Sequence, residues 1–590
     1  MTQTDTSYAK AAFTNGYEFS HGAGYALPEY PFTEPPELAS GEVKRHAIVI
    51  VGGGITGLTL ACALARYGIR ALLLDEDNTV GVKGASSRGI CYAQKTLEIF
   101  KRLGIYDRIA KKGVQWSVGR TFAGCDEVYS FDLRQQNTHS FSLQPPFINI
   151  QQFYIEGFLV EKLLEGEPKH RMVDLRWSHR VTAFEQNAKV ATLQIATPAG
   201  SYSLQAEHVI DCTGSRSPFR TWCKAAVTAK KGDDRWCIAD VRFKTQPPVE
   251  RHTWIEAPFN EGRAVWQHLM ADGVWRIDYQ MAPDANAEEV SREDVVRARI
   301  NAQFSHTLAP DAYEIVWVGP YAYRSECLDT LRMGRVFFAG DSAHVVSPFG
   351  ARGGNSGVQD ADNLAWKLAA VSQGYADPVL LDSYHAERHE AAQHNVLVTN
   401  RTARFMRPAD GAERLFRTAA ISLAKRYMFA RQLVNTGRMS APNIYTRSPA
   451  CSAQGGYAAQ NVAFCWADGS AAELGQLLDW AGAHMLLLVF WRISTADLKR
   501  LKSWLEPGTV RCVQVLAPHE QATALEHVRD TSGHLRQVCL SPGTTWAMLR
   551  PDSYVVVRGR RADASLRDVL ASLPGFSAVG ADEHHRIEKS

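Results

Sequence analysis

Long apolar runs are missing from this 590-residue chain. The longest, Met485–Trp491, falls well short of the roughly 20 residues a membrane-spanning helix needs. An excess of charge of either sign is missing too. The 65 basic and 62 acidic side chains leave a formal net charge of +3, which offers no electrostatic ground for a nucleic-acid or membrane-surface partner. The eleven cysteines contain no Cys-x-x-Cys and no close pair, and Cys212 and Cys223 match no metal-ligand spacing. A redox dithiol, a disulfide framework and a metal site are therefore not expected. Residues 1–44 hold no apolar signal-peptide core. They are polar, aromatic and proline-rich near Pro28–Pro36, and they read as an arm that wraps the following domain or stays partly disordered. A reducing, cytoplasmic setting follows as the expectation. There is no internal repeat and no low-complexity tract, and the length suits two or three domains.

Two glycine-rich segments stand out against this background. Ala47–Val51 is a continuous apolar run, as in a strand buried on both faces. The sequence Gly52-Gly53-Gly54-Ile55-Thr56-Gly57 follows it, with Gly52, Gly54 and Gly57 at G-x-G-x-x-G spacing. Leu58–Tyr67 then reads as a helix and Arg70–Leu74 as a second strand, closed by Asp75 and followed by Glu76. Such a unit makes a tight turn, lets backbone approach a pyrophosphate, and offers a carboxylate to a ribose. It does not by itself separate NAD from FAD. No second fingerprint of this kind follows an apolar strand.

The other segment is Arg335–Leu368. Val336–Ala339 reads as a short buried strand ending at Gly340-Asp341. Asp341 then lies at a strand's C-terminal end, where α/β folds place ligand contacts. A Pro348-Phe349-Gly350 turn, Arg352, Gly353, Gly354 and Asn355 follow, with a helix expected to begin near Gly357 or Val358. Close backbone approach and a positive helix end suit a polyol chain and an anionic ring.

Taken together, these motifs resemble those of the flavoprotein aromatic hydroxylases, the single-component monooxygenases related to p-hydroxybenzoate hydroxylase and phenol hydroxylase. The resemblance covers about residues 45–400. It implies that Gly52, Gly54, Ile55, Thr56, Gly57, Asp75 and Glu76 hold the ADP half of FAD. It places Gly340, Asp341, Pro348, Gly353, Gly354 and Asn355 at the ribityl chain and ring. Asp360, Ala361, Asn363 and Leu364 match the family's following helix, and Tyr384, Glu387 and Arg388 its Tyr-x-x-Glu-Arg signature. Arg88, in a Ser-Ser-Arg-Gly string, resembles the arginine that reaches the cofactor. Gln152 with Glu156 resembles an element lining the same site. One motif departs from the pattern: Thr213 stands where the family's Asp-Gly motif has aspartate, with Asp211 two positions earlier. Asp75 stands where glutamate is commoner.

The implied fold is α/β: a Rossmann-like FAD domain over 45–400 with an inserted antiparallel substrate-binding sheet at about 150–330. A helical connector and linker over 401–452 follows, then a C-terminal domain over 453–590. The string Leu549-Arg550-Pro551-Asp552-Ser553-Tyr554-Val555 resembles an element of the phenol hydroxylase branch, whose last domain is thioredoxin-like. Here that domain lacks the dithiol, and a scaffolding and dimer-forming role is expected. The implied reaction is hydroxylation of a small phenolic substrate with NADPH or NADH and O2 through a C4a-hydroperoxyflavin. Pro348 would shape the wall between flavin and substrate. Arg352 would attract an anionic group, stabilise the reduced flavin, or face solvent. His344 would act as a base or, in the reading the motif favours, hold the loop by a hydrogen bond. Trp266, His268, Tyr279 and Tyr321 are the candidates for substrate contact, each with an ordinary core position as the alternative. Rival readings are another reaction on the same flavin fold, a dehydrogenase using only the first fingerprint, and a flavin-binding protein that shelters an intermediate.

Overall fold

The computed structural model describes residues 24–560 except 82–86, 88, 133–139, 307–308, 310–311, 437–438, 453–454, 506–508 and 523–524. Its first sheet is built on parallel strands. The order Val336–Phe338, Gly200–Asp211, Lys44–Val51, Ala71–Leu74, Val173–Arg176 runs through its middle. Val51 pairs with both Asp211 and Leu74, and Asp211 with Phe338. This register brings Gly52, Asp75, Cys212 and Ala339 to one edge of the sheet, the edge where parallel sheets bind ligands. The helices Ile55–Arg66 and Arg352–Ser372 pack together on this sheet, and Ile55 through Leu64 are all buried.

The second sheet has eight strands, ordered His344–Val345, Tyr313–Leu328, Val227–Phe243, Val274–Gln280, Arg263–Leu269, Arg251–Ala257, Val118–Ala123, Asp126–Asp132. It departs from the expected 150–330 insert at both ends, since His344–Val345 lies past residue 330 and further differences fall near the start. The strands between Val173 and Asp211 belong to the first sheet, and a hairpin from before residue 150 completes the second. One face of this sheet packs Trp275, Ile277 and Tyr279 with Val296 and Ile300 of helix Glu293–Gln303. The other face looks toward the first sheet's ligand edge.

A third mixed sheet, also eight-stranded, lies between residues 457 and 559. Met485–Val489 is fully buried at its centre, parallel to Val510–Leu516 and antiparallel to Trp546–Leu549. The strand Met485–Val489 ends two residues before the close of the apolar run Met485–Trp491. Between the second and third sheets, helix Asp382–Met406 runs straight across the boundary expected at residue 400. The connector that follows exposes Leu415, Phe416, Met428 and Phe429. Among the described residues of the N-terminal arm, Tyr30 stacks on Trp177 and Tyr25 reaches the second sheet. Among the described residues, no helix is long and apolar enough to cross a membrane, and no group of His, Cys, Asp or Glu is placed to hold a metal ion.

Candidate active site

A single cavity of about 500 Å³ runs from the Gly52–Gly54 turn, past Asp341, to the inner face of the second sheet. At its first end the glycines are required by close backbone packing. Gly52 has φ +107°, and a Cβ there would lie 2.5 Å from the Cys212 carbonyl oxygen. A Cβ on Gly57 would lie 2.0 Å from the oxygen of Gly52. Only glycine permits this turn. The Gly53 N–H donates to Asp75 Oδ2 at 2.5 Å, and burial pushes the Asp75 carboxyl up to about 7. Glu76 lies exposed beside it, facing Arg180. Buried Glu156 accepts from Ile55 N–H at 3.0 Å, from Gly81 N–H at 2.7 Å and from the Gln152 side-chain amide at 2.8 Å. Gln152 and Glu156 thereby tie the fingerprint helix to the following loop. Arg88 lies outside the described residues.

The middle of the cavity is formed by the Gly-Asp segment. Gly340–Ser342 is a single 3-10 turn after the strand Val336–Phe338, and the exposed Asp341 lines the cavity. Arg220 donates to the carbonyls of Asp341 at 2.9 Å and Ser342 at 2.8 Å. Asp211 fills the place left by the departing motif. Its Oδ1 accepts from the Thr213 N–H at 3.0 Å and hydroxyl at 2.6 Å, and its Oδ2 accepts from Ser217. A buried acceptor thus organises the turn from two residues upstream.

The helix after the Pro-Phe-Gly turn begins at Arg352, five residues before the expected start near Gly357. Ala351, at φ 54° and ψ 45°, turns the chain into the helix while its N–H donates to the Pro348 carbonyl. Pro348, Gly353 and Gly354 therefore sit at the helix's positive end against the cavity. Asn355 is buried and bridges Ala93 N–H and the Cys91 carbonyl, both at 2.9 Å. Gly357 lies within the helix, where a Cβ would be 2.3 Å from Thr56 Oγ1. Its role is close packing of the two site helices.

At the second-sheet end, Trp266, His268 and Tyr321 line the cavity. Tyr279 does not. It occupies the opposite face with its hydroxyl donating to Gln303 at 2.8 Å. His344 also stands apart from the cavity lining. It is 1 % exposed and its Nε2 lies 2.8 Å from Asp360 Oδ2. Asp360 further accepts from the Gly340 N–H at 2.9 Å and from Arg388. Burial alone would raise the Asp360 carboxyl, but His344 and Arg388 outweigh it and hold it below its ordinary value. This geometry gives His344 a positioning part in the Gly-Asp turn and no route to act as a base. Arg352 is buried and donates to Asn395 Oδ1 at 2.8 Å, rather than facing solvent.

Three charged residues that sequence reasoning passed over also line the cavity: Arg251, Arg276 and Asp278. Val274–Gln280 is buried on both faces, so its sequence does not mark which residues point inward, and Arg251 lies on Arg251–Ala257, a strand that sequence reasoning did not read.

The glycine turn, the ribose-type carboxylate and the Gly-Asp edge around one continuous cavity define an α/β dinucleotide-cofactor site in which FAD fits. Comparison with known proteins narrows the class. The family model described as "FAD binding domain" matches residues 45–399. The 3-(3-hydroxy-phenyl)propionate/3-hydroxycinnamic acid hydroxylase of Mycolicibacterium smegmatis is 26% identical over 412 residues, covering 68% of this chain and 70% of that protein. Similarly named mycobacterial proteins are matched over 60 to 61% of their length. The para-nitrophenol 4-monooxygenase of Pseudomonas sp. strain WBC-3 is 28% identical over 381 residues, 62% of this chain and 89% of that one. Among solved structures, the flavin-dependent monooxygenase PieE in complex with FAD and substrate shares the fold. It has a TM-score of 0.73 and 21% identity, over 90% of this chain and 99% of that one. The chain belongs to the FAD-dependent aromatic hydroxylase family, and FAD is its cofactor.

Proposed function

We propose that the protein hydroxylates a small phenolic substrate using NADPH or NADH and O2. The observation that carries this is the single cavity joining the FAD motifs to an aromatic sheet face. When bound, FAD supplies hydride acceptance from the nicotinamide and activation of O2. The chain's own residues do the rest. Gly52–Gly57 and Asp75 hold the dinucleotide half, with Gln152 and Glu156 bracing the turn. Asp341 and the first turn of helix Arg352–Ser372 face the polyol and ring. Pro348 forms the wall between ring and substrate. The Trp236–Trp266 stack, at 4.7 Å with Phe349 edge-on to Trp266 at 4.9 Å, closes that wall against water.

The relatives' printed names support aryl substrates bearing a ring hydroxyl. The absence of a second dinucleotide fingerprint supports a nicotinamide that docks only transiently. In the same reading residues 45–400 form the FAD unit with its substrate sheet, and 401–452 a connector. Residues 453–590 would be a thioredoxin-like scaffold that pairs two copies, in a cytoplasmic protein. The test is a panel of phenols scored by substrate-stimulated NAD(P)H oxidation, O2 uptake and product mass. A product heavier by one oxygen, formed in step with NAD(P)H, is the expected outcome. Flavin-loaded protein that consumes no NAD(P)H with any phenol would overturn the reading.

A further inference from the structure

Four buried charged side chains, Asp240, Arg251, Arg276 and Asp278, stand on the inner face of the second sheet, and their pairing is uneven. Arg276 is matched: its Nε lies 2.9 and 3.2 Å from the two Asp278 oxygens, and its Nη1 donates to Ser87 Oγ at 3.3 Å. Asp240 is matched as well, accepting from the Tyr25 hydroxyl at 2.8 Å and from Ser87 Oγ at 3.3 Å. Arg251 is the exception. It is 8 % exposed and lines the cavity, yet no carboxylate of the described residues pairs with it. Its Nη1 meets only the sulfur of Met439 at 3.2 Å, its Nε has no hydrogen-bond partner, and its guanidinium lies 6.0 Å from the Trp116 ring. Neither a thioether nor a ring 6.0 Å away answers the planar fork of N–H donors, which matches a carboxylate. A buried cation without an anion is also strongly disfavoured. His268 lines the same part of the cavity, with its Nδ1 likewise lacking a partner. The fingerprint glycines that face a pyrophosphate stand at the other end of the cavity, so the cofactor's phosphates have their own cradle.

We propose that Arg251 receives a carboxylate carried by the aromatic substrate, with His268 as a second polar contact, so that the substrate class is phenols bearing an acidic side chain. This rests on the hydroxylase reading above and narrows it. The two carboxylates already on this face are engaged by Arg276, Tyr25 and Ser87, which leaves Arg251 to recognise charge and the Trp266 wall to recognise the ring. Neutral phenols of the same shape would leave the guanidinium unanswered.

The probes are 3-(3-hydroxyphenyl)propionate and its primary amide, which differ in charge and little in shape. Dissociation constants are read from the perturbation of the bound flavin's absorbance in the FAD-loaded protein, with no turnover needed. The acid is expected to bind at least tenfold more tightly than the amide. Arg251→Gln should abolish that preference while the amide's affinity changes less than threefold, and Arg251→Lys should restore part of it. Circular dichroism and flavin content establish that each variant is folded. Equal binding of acid and amide by the unmodified protein would overturn the proposal, as would an acid preference that survives Arg251→Gln. So would an Arg251→Gln variant whose defect is confined to a raised KM for NADPH, since the arginine would then serve the nicotinamide cofactor. Hydroxylation of neutral phenols alone would refute the acidic class and leave the hydroxylase reading standing.

Discussion

Asp341 stands at the strand end where the polyol of the cofactor is expected, and it lines the cavity. Asp341→Ala should weaken FAD binding by about 1–3 kcal/mol, the cost of leaving a buried partner unpaired. Titration of apoprotein with FAD measures it, and unchanged affinity would remove Asp341 from the site. Asp75 allows a test by pH. Its carboxyl, raised by burial to about 7 in the folded apoprotein, has an ordinary value near 3.9 when the chain is unfolded. Between those values the folded protein keeps a proton that the unfolded chain releases. The stability contribution is therefore fully present below the lower value and is lost as pH rises through about 7. Asp75→Asn should reduce the decline in apoprotein stability between pH 4 and 7.5, seen as a flatter dependence of the urea midpoint. A variant with the same slope as the parent would show that Asp75 does not hold that proton.

At the scale of elements, the site depends on how two helices meet. Gly357 brings helix Arg352–Ser372 against Thr56 on helix Ile55–Arg66, with no room for a methyl group. Gly357→Ala should cost about 1–3 kcal/mol through overpacking. Adding Thr56→Ala, which removes the obstructing hydroxyl, should recover much of that loss. Thermal denaturation of the single and double variants reads the coupling, and purely additive losses would place the strain elsewhere. The turn before that helix invites a different measurement. Pro348→Gly should loosen the wall and raise hydrogen peroxide released per NAD(P)H oxidised; unchanged coupling would make Pro348 a passive turn residue. These motifs were legible because strand, glycine turn and helix each leave a local signature. The helix start was less so: Gly353, Gly354 and Gly357 look like a loop in sequence, while in the fold they lie in a helix that packs on Thr56 at Gly357. Tyr279 was misplaced for a related reason. A period of two fixes which residues share a face, but not which face is concave, and Val274–Gln280 is buried on both. Arg251 escaped notice because an isolated arginine in a strand has no local pattern. Its significance lies in the lack of a paired carboxylate among the described residues.

Across the whole molecule, the Tyr-x-x-Glu-Arg signature and the Arg-Pro-Asp string of the third sheet prove to be one structure. Arg550 donates to both Glu387 oxygens, at 2.5 and 3.0 Å, and to Asp552, while Lys367 Nζ meets Glu387 at 2.8 Å. These four side chains are at most 1 % exposed. Lys95 and Arg102 of the first domain reach back to the carbonyls of Asp552 and Pro551, at 2.9 and 2.8 Å. Arg550→Ala should cost about 3–5 kcal/mol, because it strands two buried carboxylates. A melting temperature within a degree or two of the parent would show the cluster to be redundant. By contrast, replacing Cys465, Cys512 and Cys539 together with serine should leave NAD(P)H-dependent turnover largely intact. Collapse of turnover at normal folding and flavin content would assign the third sheet a redox role.

Glu387 also bears on ancestry. It belongs to the flavin-binding half, but one of the two cations that meet it, Arg550, comes from a sheet more than 150 residues downstream. The nitrophenol monooxygenase relative is matched over most of its length by only 62% of this chain. If a lineage shed the third sheet, Arg550 and Asp552 would leave together, and the neutral Glu387–Lys367 pair would remain but lose its bidentate partner and open to water. Grafting that sheet between relatives should succeed only when donor and recipient agree on the charge carried at Glu387.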